Sequence, residues 1–261
     1  MADAGEDAKD RQFVTALARG FDVLRCFTPE QPELGASEIA RLTGIPQPTV
    51  WRLCYTLLQL GYLTMVPGRQ AMRPGIPLLG LGQTVLASQP LGELALPRMQ
   101  EIARKHEGAV SLGARDGLNM IYLQRCQGSA IILANMRVGS SVPLATSATG
   151  WAYTAGLSET ERAVLLEELA ASRPDWGEIA PKLDIALEGF ARDGYLVSIG
   201  SMHPRVNSVA VPVVSGDGQQ VFALSSGGIN VIFGPDKLPE IGMELRALAD
   251  ELSPALSYGT H

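Results

Sequence analysis

"ASEIARLTGIPQPTVWRLCYTLLQLGYL", residues 36 to 63, decides how this chain begins to fold. A short helical segment, a turn containing Gly44 and a longer helical segment follow one another at helix-turn-helix spacing. Ser37 is placed to cap the first helix, Glu38 suits its first turn, and Gly44 can end it. On the second helix Val50, Leu53, Leu57 and Leu60 are spaced to face inward. The opposite face carries Pro48, Trp51, Arg52, Tyr55, Thr56 and Gln59, where a surface helix ordinarily carries Lys and Glu. Side chains that reach base edges and phosphates are Arg, Gln, Thr and ring groups. Carboxylates would be repelled by DNA, and this face has none. The bland alternative is a helical pair whose Trp51 and Tyr55 pack against a neighbouring domain.

The flanks favour the DNA reading. Upstream, "FVTALARGFDVLRCF" places Val14, Leu17, Phe21, Leu24 and Phe27 on one helical stripe. Downstream, "YLTMVPGRQAMR" reads as two short strands around Pro67-Gly68, the size of a wing, with Arg69 and Arg73 on it. Formal net charge is -6, yet it divides unevenly. Residues 1–10 carry one base and four acids, whereas residues 11–75 carry seven Arg and four acids. An Arg-only segment joined to a larger acidic one suggests two jobs, the first suited to a polyanion.

Pro77 to about Leu86 reads as a linker helix and Leu91 to His106 as the first helix of a second domain. The period then changes. "AVSLGAR", "NMIYLQRC" and "SAIILANM" are strand-like, and helices follow near Ala148–Ala155, Ser158–Ala171 and Glu178–Asp193. "GYLVSIG", "NSVAVPVV" and "QVFALSSGG" return to strands, with "SGDGQ" as a hairpin turn, before a helix after Gly234-Pro235. Strands, helices, strands and helix make an α+β sheet domain.

Enzymatic signatures are thin. His106, His203 and His261 have no metal-site spacing, no Ser-His-Asp set can be assembled around His203, and no cofactor motif is present. The three cysteines form no disulfide framework, and Cys126 reads as a buried thiol in an apolar strand. The start "MADAGEDAKD" is not a signal peptide, and the two charge-free stretches are broken by Pro and Gly. The expectation is a soluble cytoplasmic protein with no membrane span. "LATSATGWA" brings small polar residues to a helix start, whose free N–H groups attract an anion; Ser147 or Thr149 merely capping that helix is as common.

"ALARGFDVLRCF", the opening stretch and "LLGLG" resemble the N-terminal winged helix-turn-helix and linker of IclR-family transcriptional regulators. "VGSSVPLATSATGWA", "GYLVSIG…NSVAVPVV" and "VFALSSGG" resemble that family's GAF-like effector-binding domain, so the likeness runs over roughly residues 12–258. The resemblance implies three parts: a winged helix-turn-helix at 12–75, a linker helix at 76–90 and a GAF-like mixed sheet domain with flanking helices at 91–259. It also implies a homodimer or dimer of dimers on double-stranded operator DNA, responsive to a small organic acid. DNA contacts then fall to Gln47, Pro48, Thr49, Trp51, Arg52, Tyr55, Arg69 and Arg73. The family's effector positions carry over to Ala148, Thr149, Ser198, Ser208, Ser225 and Gly227, with apolar lining from Ile131, Ala134 and Val142. Two departures stand out: Ser198 replaces a common acid, and Trp151 a frequent Lys. The loss of an acid removes repulsion toward an anionic ligand. The rival is a metabolite sensor or enzyme whose first domain serves only dimerisation.

Overall fold

The computed structural model describes residues 12–128 and 136–256. The chain divides at Ser88–Gln89 into two compact units. In the first, helices α1 (Thr15–Arg25), α2 (Ala36–Thr43) and α3 (Gln47–Gln59) precede the antiparallel strands β1 (Leu63–Met65) and β2 (Met72–Pro74) and helix α4 (Pro77–Ala87). Val23, Leu34, Ile39, Ile45, Val50, Cys54, Leu63 and Met72 form the core. Full burial of each large aliphatic side chain contributes about 1.5–3 kcal/mol. Leu34 and Met72 exchange backbone hydrogen bonds at 3.0 and 2.8 Å, which ties the wing to the start of α2.

Local details differ from the sequence expectation in three places. Gly35, not Ser37, is the N-cap of α2, and Glu38 reaches back to accept from its N–H at 2.8 Å. On α3 the buried stripe is Val50 and Cys54, with Leu53 and Leu57 half-buried. Leu60 is exposed because the helix has already closed at that residue. On α1 the core takes Val23, with Leu24 and Phe27 packed against it, while Val14, Leu17 and Phe21 stay in solvent. Gly44 does terminate α2, in the left-handed region at φ +69°. No residue of α4 is buried, although it is rich in Leu and carries no charge.

The second unit opens with α5 (Leu91–His106) and strands β3 (Ala109–Asp116), β4 (Asn119–Gln127) and β5 (Ser141–Pro143). Helices α6 (Ala148–Gly156), α7 (Glu159–Ser172) and α8 (Trp176–Asp193) come next. Strands β6 (Leu196–Ile199), β7 (Val206–Val214) and β8 (Val221–Ile229) and helix α9 (Leu238–Leu256) complete it. The strands form an antiparallel sheet in the order β5-β4-β3-β8-β7-β6. The strand expected from Ser129 falls almost wholly outside the described residues.

Alternation along the central strands feeds two cores. Val209, Val211 and Val213 of β7 and Phe222 and Leu224 of β8 pack with α5 and α9. Ala210 and Ala223, between them in sequence, pack with α6 and α8 on the other face. The residues facing α6 are small, so that helix lies close to the sheet. A Cβ on Gly156 would stand 2.7 Å from Val221 Cγ1 and 2.8 Å from Pro212 Cβ. On Gly113 it would meet Thr149 Cγ2 at 2.9 Å, which brings the first turn of α6 over the middle of the sheet.

Candidate functional site

In the first unit, α3 presents Gln47, Pro48, Trp51, Arg52 and Tyr55 to solvent, with Thr49 half-buried. Trp51 is 50% and Tyr55 55% exposed, a large aromatic area for a helix already packed on its other side. Gln47 Nε2 donates to Ser37 Oγ at 3.0 Å, clipping the start of α3 to α2. Arg19 of α1, which the sequence reading did not single out, lines an open groove together with Thr49, Trp51, Arg52, Tyr55 and Thr56. Arg69 and Arg73 are exposed on the wing, and Arg69 Nη1 pairs with Glu33 at 2.9 Å. A surface pair of this kind contributes little to stability, so its loss to a competing anion costs little.

In the second unit, strand register lays two rows of residues across the α6 face. Residues directly opposite in an antiparallel pair share a face. One row runs Ala210, Ser225, Ser111, Arg125. The adjacent row runs Ser198, Ser208, Gly227, Ala109. With Ser147, Ala148 and Thr149 at the start of α6, and with Tyr122, Met136, Met202 and Val206, the residues of these rows other than Ala210 line a cavity of about 50 Å³. That space admits ordered water or the charged end of a small ligand.

The helix start is built tightly. Ser147 is the N-cap, its Oγ accepting from Gly150 N at 3.1 Å, and its carbonyl accepts from Trp151 N. A Cβ on Gly150 would fall 2.1 Å from the Leu144 carbonyl oxygen, so only glycine permits this approach. Ala148 and Thr149, the first two residues of the helix, have N–H groups with no acceptor inside it. Thr149 Oγ1 and Ser225 Oγ are 2.8 Å apart and buried. Trp151, at the position where a Lys is frequent, is buried and donates Nε1–H to the Ala145 carbonyl at 2.7 Å, so it shapes the wall from behind.

Arg125 and Tyr122 entered the cavity without a sequence signal. Arg125 Nη1 donates to Ser111 Oγ at 2.7 Å, and the guanidinium carbon stands 5.5 Å from the Tyr122 ring centre. Burial holds the Arg125 pKa below its ordinary value, opposed by Tyr122 and Cys126. Burial raises that of Tyr122, offset in part by hydrogen bonds to Thr149 and Ser111 and by Arg125. Val142 sits elsewhere, in the core that packs Trp151, and is not among the residues lining the cavity. Ile131 and Ala134 lie outside the described residues.

Other chemistry is sparse. His106, Glu240 and Glu244 form the one metal-compatible cluster among the described residues. There the Lys105 ammonium bridges Glu240 at 2.8 Å and Glu244 at 2.5 Å, which answers both carboxylates. His203 Nδ1 accepts from Arg205 N at 3.2 Å. Cys126 is buried, and its thiol is pushed up chiefly by desolvation. Among the described residues no helix is long and apolar enough to cross a membrane.

A helix-turn-helix with a wing, followed in the same chain by a mixed helix-and-sheet unit, places the protein among the two-domain transcriptional regulators. The family model for the IclR helix-turn-helix domain matches residues 16–67, and that for the bacterial transcriptional regulator IclR C-terminal domain matches residues 83–254. The chain belongs to the IclR family of transcriptional regulators, which are DNA-binding proteins and not enzymes. It is 42% identical to an IclR family transcriptional regulator from Brucella abortus, with a TM-score of 0.88 over 97% of this chain and 96% of that one. It is 30% identical to the HTH-type transcriptional regulator TsaQ1/TsaQ2 of Comamonas testosteroni, over 93% of this chain and 84% of the relative. The fold also matches an IclR homologue from Microbacterium hydrocarbonoxydans complexed with 4-hydroxybenzoate, at 22% identity and a TM-score of 0.73, over 92% of this chain and 98% of that one.

Proposed function

We propose that this protein is a homodimeric regulator, or a dimer of dimers, whose grip on palindromic operator DNA is set by a small organic acid. In this reading α3 enters the major groove. Arg52, Gln47, Thr49 and Tyr55 meet bases and phosphates there, Pro48 and Trp51 add apolar contact, and Arg69 and Arg73 of the wing reach the flanking backbone. One short helix with a single Arg supplies too little affinity alone, so two copies share a site. The exposed apolar faces of α1 and α4 suit the pairing.

The acid lies in the α6 cavity. Its carboxylate rests near the N–H groups of Ala148 and Thr149, and its polar substituents face Ser198, Ser208 and Ser225, with Gly227 leaving room beside Ser208. The observation that carries this reading is the hydroxyl-lined cavity beneath the helix start, with no carboxylate among the described residues that line it. The 4-hydroxybenzoate found in the Microbacterium homologue is an acid of the expected kind.

Electrophoretic mobility shift with DNA flanking the protein's own gene, with and without a panel of aliphatic and aromatic acids, tests both halves. A discrete complex at nanomolar protein, strengthened or released by at least one acid, is expected. Binding equally tight to unrelated DNA, or operator binding indifferent to acids that calorimetry shows bound in the cavity, defeats the proposal.

A further inference from the structure

Among the described residues Arg125 has no carboxylate partner, and its guanidinium meets only the Ser111 hydroxyl and the Tyr122 ring. Among the described residues lining the cavity it is the only cation, and neither Asp nor Glu joins it. Among the described residues its one side-chain hydrogen bond goes to a neutral hydroxyl, that of Ser111. Nε is shielded from solvent and has no hydrogen-bond partner. A buried guanidinium edge without an acceptor is costly in an empty site, and a carboxylate satisfies it with parallel N–H···O bonds. The rest of the wall divides into hydroxyls on Ser198, Ser208 and Ser225 and apolar groups on Ala109, Met136 and Val206.

We infer that Arg125 is the counter-charge for the effector and that the cavity selects monocarboxylates. The inference rests on the acid-effector reading above and names its charge-bearing residue. The single carboxylate is shared between the Arg125 guanidinium and the start of α6. A second carboxylate on the ligand would be buried against hydroxyls and methyls with no cation to meet it, so dicarboxylates are rejected. Neutral amides are rejected because they leave Arg125 unanswered.

The test uses the full-length protein and three sets of probes: formate, acetate, lactate, benzoate and 4-hydroxybenzoate; acetamide and benzamide; succinate and phthalate. Calorimetry gives affinities, and the 15N resonance of Arg125 Nε, assigned through Arg125→Lys, reports contact. Expected are saturable monocarboxylate binding that shifts this resonance, and amides and dicarboxylates at least about tenfold weaker. Arg125→Met should lose at least about tenfold in monocarboxylate affinity, with partial rescue in Arg125→Lys. Arg125→Met also removes the hydrogen bond to Ser111, so its melting temperature serves only to confirm that the variant is folded. A purely structural arginine would leave the monocarboxylate affinity of the folded Met variant undiminished. An acid displaced by Ser208→Leu but bound undiminished by Arg125→Met overturns the role of Arg125 and leaves the effector reading standing. A succinate or amide bound as tightly as its monocarboxylate overturns the selectivity. No shift of the Nε resonance by any monocarboxylate, with no saturable binding, overturns both.

Discussion

Ser111 on β3 and Arg125 on β4 stand directly opposite one another, and Ser111 Oγ accepts from Arg125 Nη1 at 2.7 Å. The pair ties the guanidinium to the sheet in a residue that lines the cavity, with Nε shielded from solvent and unpartnered. Ser225 faces Ser111 from the other side, and its Oγ meets Thr149 Oγ1 at 2.8 Å. One transverse row therefore links the charged strand to the first turn of α6.

That hydroxyl pair should be energetically coupled. Thr149→Val or Ser225→Ala alone leaves a buried hydroxyl with one partner fewer and should cost about 1–3 kcal/mol. The double variant should cost less than the two singles added. Urea denaturation followed by tryptophan fluorescence measures all three. Strict additivity would show that the two hydroxyls do not interact.

Arg52→Ala and Tyr55→Ala should weaken operator binding while leaving thermal stability within about 0.5 kcal/mol of the parent, because both side chains are exposed. The plot of log affinity against log salt should flatten by about one unit for Arg52→Ala, from the loss of one phosphate contact. Fluorescence anisotropy at several salt concentrations reads both effects. Parent-like affinity in both variants would remove α3 from the DNA interface.

Phe21 and Leu79, 55% and 64% exposed, belong to apolar faces that the first unit does not bury. Phe21→Glu and Leu79→Glu should shift the sedimentation profile toward monomer at micromolar concentration. Operator affinity should fall by about 10²-fold as the two half-sites become uncoupled. A Phe21→Glu protein that stays dimeric and binds DNA normally argues for pairing through another surface.

Cys54 should behave as an inert thiol. Burial is the main cause that raises its pKa to about 11, assisted by Cys26. Because the folded pKa lies above the unfolded one, the stabilisation is complete below about pH 8.5. It is lost as pH rises through the folded value of about 11. Maleimide labelling at pH 8 should therefore leave Cys54 unmodified until denaturant is added. Its rapid modification in the native protein would contradict the packing of α3.

Only the helix start was a local signal, since Ala148 and Thr149 follow a capping serine. Ser198, Ser208 and Ser225 were implied by the resemblance to the family, because no pattern within their own strand segments marks a site. The two rows join them into one cavity. Val142 fails to reach it because β5 turns that side chain into the core around Trp151.

What the sequence by itself determined are the helix-turn-helix, the wing, the strand segments and the small residues of α6, all of which follow from periods and breakers within a few residues. Tertiary structure alone decided which faces are used. An apolar stripe on α1 predicts burial, but the core has room for Val23, Leu24 and Phe27, leaving Leu17 and Phe21 outside. Arg125 and Tyr122, three residues apart, belong on opposite faces of a regular strand. The register shift between Leu112 and Gly113 pairs Arg125 with Ser111 and Tyr122 with Gly113, so both line one cavity. The physical reason is that strand register depends on a partner strand, and a slip of one residue moves each side chain to the other face.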